Sequence, residues 1–525
     1  MFPQKGRAAG EHRDDPSRAH AGPGKRLDPL VLAVGLVALT VYSLHGVRGN
    51  LTRDVGLYAY AGQQVADGVP PYLGVLNRAG PLAHAIPGLG AALARLVGVD
   101  DLLGMRVLFL LIAVLCVCSV YLLARDVLHS RVSGVVAASM FLCLPGFIHH
   151  ASYGPRDKTA MLLFLVLALW AMSRRRWFTA GVLLGLAALV LQIALFVGGP
   201  ALAVAVLLGP GTWRGRLASL ARVAVGALLI LAVAAAYFVA VGAFDEFVQA
   251  YALINARYTA ANPVTDSWGG DWDKMVKGYK APLALVVSGV LAVPVFAALA
   301  LRTREGRKDP DTATWAGLAA GTIGGILWTM RDFDSWPDAY PLLPLAAVGT
   351  AALLRALTAR LRPRAALAVA AAFVLVTGAA AVIDARDADT RLDRQRASVR
   401  AMLRTLPEDA TIISLEASQP LVLSGRTNPF RHQMFPSSLG AYIDDTWPGG
   451  LDGFEQDLLD EEAELIAIRR PWRGGWATVI RPDYVRVGCA PGWTWYARRD
   501  LGPERLLPLQ RAGARFCRAG SRSAR

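Results

Sequence analysis

The sequence predicts an α-helical protein that crosses the membrane about eleven times and ends in a small α/β domain. Two features of its composition predict this fold class: 54% of the 525 residues are hydrophobic, and only 18% are charged. Since soluble domains carry about 25% charged residues, a single water-soluble globule is excluded. The third observation is positional, because apolar runs of membrane-spanning character recur from residue 30 and stop before residue 384.

Charge and cysteine content narrow the class further. The chain has 55 basic and 40 acidic residues, a net charge of +15. In a membrane protein such an excess indicates cytoplasmic loops, and no nucleic-acid partner is expected. Five cysteines are too few for a disulfide scaffold in a chain of this length.

The membrane domain is predicted over residues 30–383, after a polar segment 1–29 that has the composition of a disordered cytoplasmic tail. No cleavage site follows the first apolar run, so this run is expected to remain as an anchor. The predicted spans are 30–46, 102–124, 132–148, 159–173, 178–191, 193–208, 218–242, 281–301, 313–330, 338–357 and 365–383.

The apolar stretch 178–208 decides the number of spans. It has 31 residues, too many for one span, and Gln192 interrupts it, which predicts two short spans hinged near that residue. With the N-terminus inside, the inner segments then hold 22 Lys and Arg residues and the outer loops hold 11. One span instead of two would place the loops with Arg214 and Arg302 outside, against the positive-inside rule. The sequence therefore predicts a multi-pass plasma membrane protein with a cytoplasmic N-terminus.

Three parts are then expected outside the membrane: a long first loop 47–101, a loop 243–280, and an extracytoplasmic α/β domain 384–525. In this domain 411–415 and 464–468 have the pattern of buried strands. Helices are predicted at 390–405, 451–462 and 475–482, and an aromatic strand at 493–497.

The exported domain contains two of the cysteines, Cys489 and Cys517. Oxidising compartments favour disulfides, so a bond between them is predicted, with two free thiols left open as the alternative.

An acidic residue, Asp54, follows the first span by a few residues. Leu57, Tyr58, Ala61 and Val65 share one helical face after it, which predicts a helix lying along the membrane surface. Residue chemistry alone favours Asp54 as the N-cap of this helix. The alternative is a general base that deprotonates an acceptor hydroxyl.

Basic residues gather at a second outer mouth. His149, His150, Arg156 and Lys158 lie within ten residues, which favours a phosphate or pyrophosphate site over simple snorkelling of the charges to the membrane interface. Two adjacent histidines without a nearby acidic pair are a weak metal signal, so no cofactor is expected, with a divalent metal left open as an alternative that is not indicated. Arg78 is a further candidate for holding the anion, with an ordinary exposed loop arginine as the alternative.

Acidic and aromatic residues alternate at a third outer mouth. Asp334, Trp336, Asp338 and Tyr340 suit a sugar, since carboxylates accept hydroxyl hydrogen bonds and rings stack on the apolar sugar face. The alternative is an interfacial aromatic belt. Gln192 in the hinge is expected to be a satisfied polar residue that lines a cavity, and Gln192 and Tyr58 are predicted to belong to the same sugar or acceptor pocket.

In this order the pieces resemble the C-type glycosyltransferases. The family includes protein O-mannosyltransferases and lipid A aminoarabinose transferase, and the chain is most similar to bacterial mannosyltransferases of the dolichyl-phosphate-mannose type. The resemblance covers about 30–383. It is carried by the acidic first loop and by five motifs: Gly56-Leu57-Tyr58-Ala59-Tyr60, Pro71-Tyr72, Gly80-Pro81-Leu82, Gln192-Ile193-Ala194-Leu195-Phe196-Val197 and Pro337-Asp338-Ala339-Tyr340-Pro341-Leu342-Leu343-Pro344.

The resemblance implies inverting transfer of a sugar, mannose in the first instance, from a polyprenyl-phosphate donor. The acceptor would be a hydroxyl of a glycan, protein or lipid at the outer membrane face. Asp54 matches the catalytic acid, and Arg156 and Lys158 match a basic segment. Relatives often carry a second acid where this chain has Val55, and a lysine where it has Ala79.

Two other functions fit parts of the sequence: a lipid or solute transporter or flippase without transferase activity, and an envelope scaffold that binds partners through its tail. The position of Asp54 discriminates among them. An enzyme needs it in a cavity with Arg156 or Lys158, whereas a transporter needs a midplane site on broken helices.

Overall fold

The computed structural model describes residues 28–258, 264, 267–303, 305, 309–387, 389–469 and 475–517. The tail predicted for 1–29 therefore lies, except for its last two residues, outside the described part of the chain. Helices dominate up to residue 385: α1 Pro29–His45, α2 Arg53–Ala66, α3 Leu82–Leu96, α4 Asp101–Val127, α5 Arg131–Leu142, α6 Pro145–Ala151, α7 Asp157–Ser173, α8 Trp177–Val190, α9 Ala194–Leu207, α10 Trp213–Ala240, α11 Phe244–Phe247, a π-helix Val248–Tyr258, α12 Trp268–Tyr279, α13 Leu283–Arg302, α14 Pro310–Arg331, a 3-10 helix Trp336–Leu342, α15 Leu343–Thr358 and α16 Pro363–Ala385.

Each predicted span coincides with a helix or with a helix pair. Within the described residues five helical segments are long and apolar enough to cross a membrane: α4, α10, α13, the 3-10 helix with α15, and α16. The bent pair α5 and α6 makes a sixth, and α1, α3, α8 and α9 are shorter apolar helices. The chain is thus a multi-span membrane protein with at least five spans, while the eleven-span topology remains a prediction.

The span predicted as continuous over 132–148 is broken. α5 ends at Leu142, and α6 continues at an angle of 65° to it. Pro145 begins α6, and because proline has no N–H to donate to the preceding turn, the helix cannot run through this point. As a result α6 turns away from the axis of α5 and carries His149 and His150 with it.

The break near Gln192 is confirmed, since α8 ends at Val190 and α9 begins at Ala194.

Elsewhere in the bundle glycine permits close helix contact. A Cβ atom on Gly289 of α13 would clash with the Ala346 carbonyl of α15, and one on Gly349 would clash with the Gly289 carbonyl. Small residues at such crossings let backbones approach in membranes, where the hydrophobic effect does not drive helix association.

The loop predicted at 47–101 contains the apolar helix α3, which was not predicted, as well as α2. α2 is buried on most sides by the rest of the protein, and its placement along the membrane surface stays a prediction. Gly56 packs against Gln419 of the C-terminal domain, and the Tyr60 hydroxyl accepts a hydrogen bond from Asn428 N at 2.8 Å. The buried apolar residues of α2 extend around the helix and are not confined to one face.

The C-terminal domain has a four-stranded sheet in the order β1-β2-β4-β3. β1 and β2 are parallel and β4 is antiparallel to both of its neighbours, which makes the predicted α/β domain a mixed one. The two predicted buried strands and the aromatic strand are confirmed, whereas β3 was not predicted. The elements are α17 Arg391–Leu403, β1 Ile412–Leu415, α18 Gln419–Ser424, α19 Ser437–Thr446, α20 Gly450–Asp460, β2 Leu465–Arg469, α21 Trp476–Val479, β3 Tyr484–Ala490, β4 Trp493–Arg498, a 3-10 turn Arg499–Leu501 and α22 Pro503–Cys517.

The predicted disulfide between Cys489 and Cys517 is present and joins β3 to the end of α22. The other three cysteines, Cys116, Cys118 and Cys143, are buried and free. The bond therefore fastens the last helix to the edge strand of the sheet.

Two clamps hold the segment that leads into α2. The side-chain amide of Gln395 on α17 donates to Leu51 O at 2.9 Å and accepts from Leu51 N at 3.0 Å. It thus satisfies both backbone groups of Leu51, as an adjacent β-strand would. From the other side, the buried guanidinium of Arg106 on α4 donates to the carbonyls of Val47 and Gly49. The start of α2 is therefore fixed by the membrane domain and the C-terminal domain together.

Candidate active site

Asp54 lies in the first turn of α2 but does not cap it. The N-cap is Thr52, whose hydroxyl accepts from Val55 N at 3.4 Å. The interpretation of Asp54 as N-cap is therefore wrong, and its side chain, 37% exposed, is available for other contacts.

Two arginines contact the Asp54 carboxylate. Arg53 Nε donates to Oδ1 at 3.0 Å, and Arg156 Nη1 lies 3.3 Å from Oδ2. Burial raises the pKa of Asp54, but the charges of Arg156, Arg53 and Lys158 lower it more, so the pKa lies well below its usual range. The carboxylate is therefore ionised at any physiological pH.

Arg156 approaches Asp54 from the extended segment just before α7. Its side chain is only 9% exposed, and its Nη1 lies 3.4 Å from His150 Nδ1. The His150 ring in turn meets the Trp336 ring edge to face, with 5.0 Å between centroids. The bent helix α6 thus places His150 between Arg156, which contacts Asp54, and Trp336, one of the predicted sugar ligands.

Lys158 and Asp338 connect this group to the third outer mouth. The Lys158 ammonium is ion-paired with Asp338 Oδ1. Asp338 Oδ2 accepts from the backbone N–H groups of Asp334 and Ser335, each at 2.8 Å. Asp338 therefore shapes the turn before the 3-10 helix as well as pairing with the lysine.

Asp157 is a site residue that the sequence analysis missed. Its Oδ2 accepts from the Tyr58 hydroxyl at 2.7 Å, and its Oδ1 accepts from Lys158 N at 2.8 Å. Burial and then the charge of Asp157 raise the pKa of Tyr58 well above its ordinary value. The available signal was its position, a carboxylate between two basic residues at the start of an apolar helix.

The turn with Arg78 is held by its backbone. Arg78 O accepts from Gln192 Nε2 at 3.4 Å and from Asn255 Nδ2 at 2.8 Å. Gln192 also donates to Tyr251 O at 3.0 Å, so the hinge glutamine is satisfied, as expected. The guanidinium lies close enough to Asp332 to oppose the rise that burial causes in the pKa of that carboxyl. Arg78 therefore faces the same mouth.

Two predicted site residues point elsewhere. The His149 ring contacts His45 edge to face, with 4.6 Å between centroids, and His45 stacks on Tyr153 at 4.0 Å. The Tyr340 hydroxyl donates to Gly146 O at 2.7 Å, so it anchors α6. His149 and Tyr340 therefore contribute to the site indirectly, through the position of α6.

The assembled site is an ionised carboxylate beside a buried guanidinium, an ammonium and an imidazole. Guanidinium and ammonium groups are the usual protein ligands of phosphate, and a carboxylate next to them can accept a proton. Within the residues that the structure describes, no three His, Cys, Asp or Glu side chains converge as metal ligands.

Comparison with solved structures identifies the fold. ArnT from Cupriavidus metallidurans in the apo state aligns with a TM-score of 0.52 at 14% identity, over 92% of this chain and 99% of that one. ArnT bound to undecaprenyl phosphate gives 0.51 at 14% identity, over 89% and 98%. The archaeal oligosaccharyltransferase AglB from Archaeoglobus fulgidus, in complex with an inhibitory peptide and a dolichol-phosphate, gives 0.53 at 13% identity, over 90% and 74%. The chain therefore has the C-type glycosyltransferase fold.

Comparison of sequence is more specific. The profile of Glycosyltransferase family 87 matches residues 87–329, which run from α3 through α14. No curated protein matches the chain significantly. The family match supports sugar transfer as the activity.

Proposed function

We propose that this protein transfers a sugar from a polyprenyl-phosphate donor to an acceptor hydroxyl at the outer face of the membrane, with inversion at the anomeric carbon. Mannose is the first sugar to test, and the acceptor is a glycan, a protein or a lipid. The observation that carries the proposal is the ion pair between Asp54 and the buried Arg156, 3.3 Å apart.

The donor phosphate is assigned to the basic residues around Arg156. A guanidinium buried this deeply has lost most of its hydration, and an anionic ligand restores what burial removes. Lys158, His150 and Arg78 supply further donors at the same mouth. Two of the structures with this fold hold undecaprenyl phosphate or dolichol-phosphate, which supports the same class of ligand for this chain.

Asp54 is assigned the acceptor proton. The acceptor oxygen attacks the anomeric carbon as the bond from that carbon to the phosphate oxygen breaks, and the hydroxyl proton passes to Asp54. The polyprenyl phosphate leaves with the bonding electrons. Arg156 and Lys158 stabilise the charge that develops on it, an effect worth about 3 kcal/mol for one well-placed donor in other enzymes.

Arg156 also couples donor binding to the strength of the base. Without donor it holds Asp54 as an ion pair and lowers the carboxylate pKa, which makes Asp54 a weak base. A phosphate beside Arg156 offsets that charge, so the pKa of Asp54 rises once donor is bound. Asp54 then accepts a proton more readily in the complex than in the free enzyme.

The transporter alternative requires a midplane site on broken helices. The described break at Pro145 instead leads to the Asp54 group, beside the C-terminal domain. The contact between Asp54 and Arg156 is the arrangement that an enzyme needs, so we retain the transferase.

The test is transfer of label by the purified full-length protein from radiolabelled polyprenyl-phosphate mannose to an envelope fraction. We expect Asp54→Asn to lower the rate by about 10²- to 10⁴-fold, as loss of a general base does. Asp67→Asn is the matched control. Asp67 caps the other end of α2, where its carboxylate is ion-paired with Arg95 at 2.7 Å.

Arg156→Ala separates binding from chemistry. It should raise the donor KM as well as lower kcat, because the phosphate is charged in the ground state and in the transition state. Near wild-type transfer by a folded Asp54→Asn protein would remove Asp54 from the mechanism and leave Asp332, Asp334 and Asp338 as carboxylates to examine.

A further inference from the structure

A second basic site lies at the opposite end of the helices. α7 begins with Asp157 at the candidate active site and runs 17 residues, about 25 Å, to Ser173. Just beyond it is a cavity of about 80 Å³, between the start of α8, the end of α9 and the starts of α10 and α14. Its lining includes Arg175, Trp177, Pro210, Arg216, Ser219 and Thr314.

The cavity has a positive lining. The sequence contains no Asp or Glu between Asp157 and Asp245, so the segments that supply Arg175 and Arg216 carry no acid of their own. The neighbouring Arg174 is paired with Asp126 at 2.8 Å, but among the described residues neither cavity arginine has an ion-pair partner. Arg216 Nε is buried without a hydrogen-bond acceptor in that part of the chain. A buried unpaired donor is costly, and an anion in the cavity would satisfy it.

The backbone at Arg175 points to the same ligand. Arg175 has a φ of +56°, in the left-handed region, where it ends α7. Glycine or asparagine is the usual residue at this position after a helix, because a Cβ atom is unfavourable there. Despite this unfavourable backbone conformation the position holds Arg175, which lines the cavity.

The surroundings of the cavity are apolar. Trp213, at the start of α10, is 60% exposed, and Phe178, Leu208 and Leu217, each next to a lining residue in sequence, are exposed too. Tryptophan is enriched at the level of lipid headgroups, and exposed aliphatic residues on spanning helices face acyl chains. A free phosphate ion has no apolar groups to contact this surface, whereas the acyl chains of a phospholipid can pack on it.

We propose that this cavity binds the phosphate of an anionic phospholipid in the leaflet opposite the candidate active site. Arg175 and Arg216 pair with the phosphate, and the acyl chains lie along Phe178, Leu208 and Leu217. Basic pockets between spanning helices on the cytoplasmic side recognise lipid headgroups in this way. The charge asymmetry of the sequence predicts the same side for this face.

Native mass spectrometry of the full-length protein in detergent tests the proposal, with titrations of phosphatidylglycerol and of phosphatidylcholine. We expect at least tenfold tighter binding of phosphatidylglycerol. Arg175→Gly should abolish this preference and keep or raise the Tm, because glycine fits the left-handed backbone. Arg176→Gly is the matched control, since it removes the same charge from an exposed neighbour outside the lining.

Equal binding of the two lipids by the wild type would overturn the proposal, and so would equal loss of preference in Arg176→Gly and Arg175→Gly. If Arg175→Gly does not fold, Arg216→Gln with Arg214→Gln as its control gives the same comparison. Inorganic phosphate is added in a separate arm. A Tm increase with phosphate that matches phosphatidylglycerol and depends on Arg175 would overturn the lipid assignment in favour of a soluble anion.

Discussion

Arg53 Nη1 lies 3.7 Å from Glu416 Oε2, so the turn that carries Asp54 is ion-paired with the C-terminal domain. The same guanidinium donates to Asp54 through Nε, and Glu416 also receives Arg469 Nη1 at 3.3 Å. Arg53 is therefore shared between a carboxylate at the candidate active site and a carboxylate of the domain that follows the membrane spans.

Glu416→Gln should lower kcat. Without the Glu416 charge, Arg53 interacts more strongly with Asp54 alone and weakens it further as a base. Partly exposed ion pairs are worth about 0.2–1 kcal/mol, so we expect kcat to decrease by about 1.4- to 5-fold. The assay is transfer at saturating donor, with Glu462→Gln as control because that residue pairs with Arg498 far from α2. A kcat equal to that of the control would separate Arg53 from the base.

The pH dependence should differ between the free enzyme and the donor complex. The folded-state pKa of Asp54 is lowered, so its ionisation contributes stability above the unfolded value of about 3.9, and this contribution is lost as pH falls through the lower folded value. The acid limb of kcat/KM that is due to Asp54 should thus lie below pH 4. If donor phosphate releases Arg156, the acid limb of kcat should lie at higher pH. Coincident limbs would contradict the exchange of Arg156 between Asp54 and phosphate.

Removal of the disulfide should destabilise the C-terminal domain. The bond between Cys489 and Cys517 closes a 28-residue separation, for which the chain-entropy estimate is about 3.6 kcal/mol. The double variant Cys489→Ser and Cys517→Ser should show a lower Tm and faster proteolysis after α16. Cys143→Ser, which replaces a free cysteine, is the control for thiol loss. Two reactive thiols in the unreduced, folded wild type would show that the bond is not formed.

Topology can be tested with a reporter fused after Arg386. The prediction of eleven spans with a cytoplasmic N-terminus requires a periplasmic type of reporter to be active there and a cytoplasmic type to be silent. The physical basis is the excess of basic residues, 22 against 11, on the predicted inner side. Activity of the cytoplasmic reporter at that point would reject the assignment.

Much of the fold was accessible from apolar patterning. The break near Gln192 followed from length alone, since one span cannot use 31 apolar residues, and the paired strands of the tail followed from short apolar runs. The bend at Pro145 was missed because the apolar run continues through it. Strand β3 was missed because Arg486 and Gly488 interrupt its pattern, and the sheet has a register shift there.

The candidate site was only partly accessible. Motif order pointed to Asp54, and local charge pointed to Arg156 and Lys158, all of which meet in the structure. Arg53 and Glu416 could not be paired from sequence, because their contact depends on how a separate domain docks on α2. His149 and His150 are adjacent in sequence but diverge, since neighbouring residues on a helix point about 100° apart.

The contact between Leu51 and Gln395 joins residues that are 344 positions apart in the sequence. This separation determines how early in synthesis the contact can form. α2 emerges early in synthesis, but the glutamine that pairs with its entry segment emerges only after the last span. A nascent or truncated chain can therefore have all its spans inserted while the loop before Asp54 still lacks that partner. The contact that holds the segment before Asp54 can therefore form only after synthesis has passed Gln395, beyond the last helix of the membrane domain.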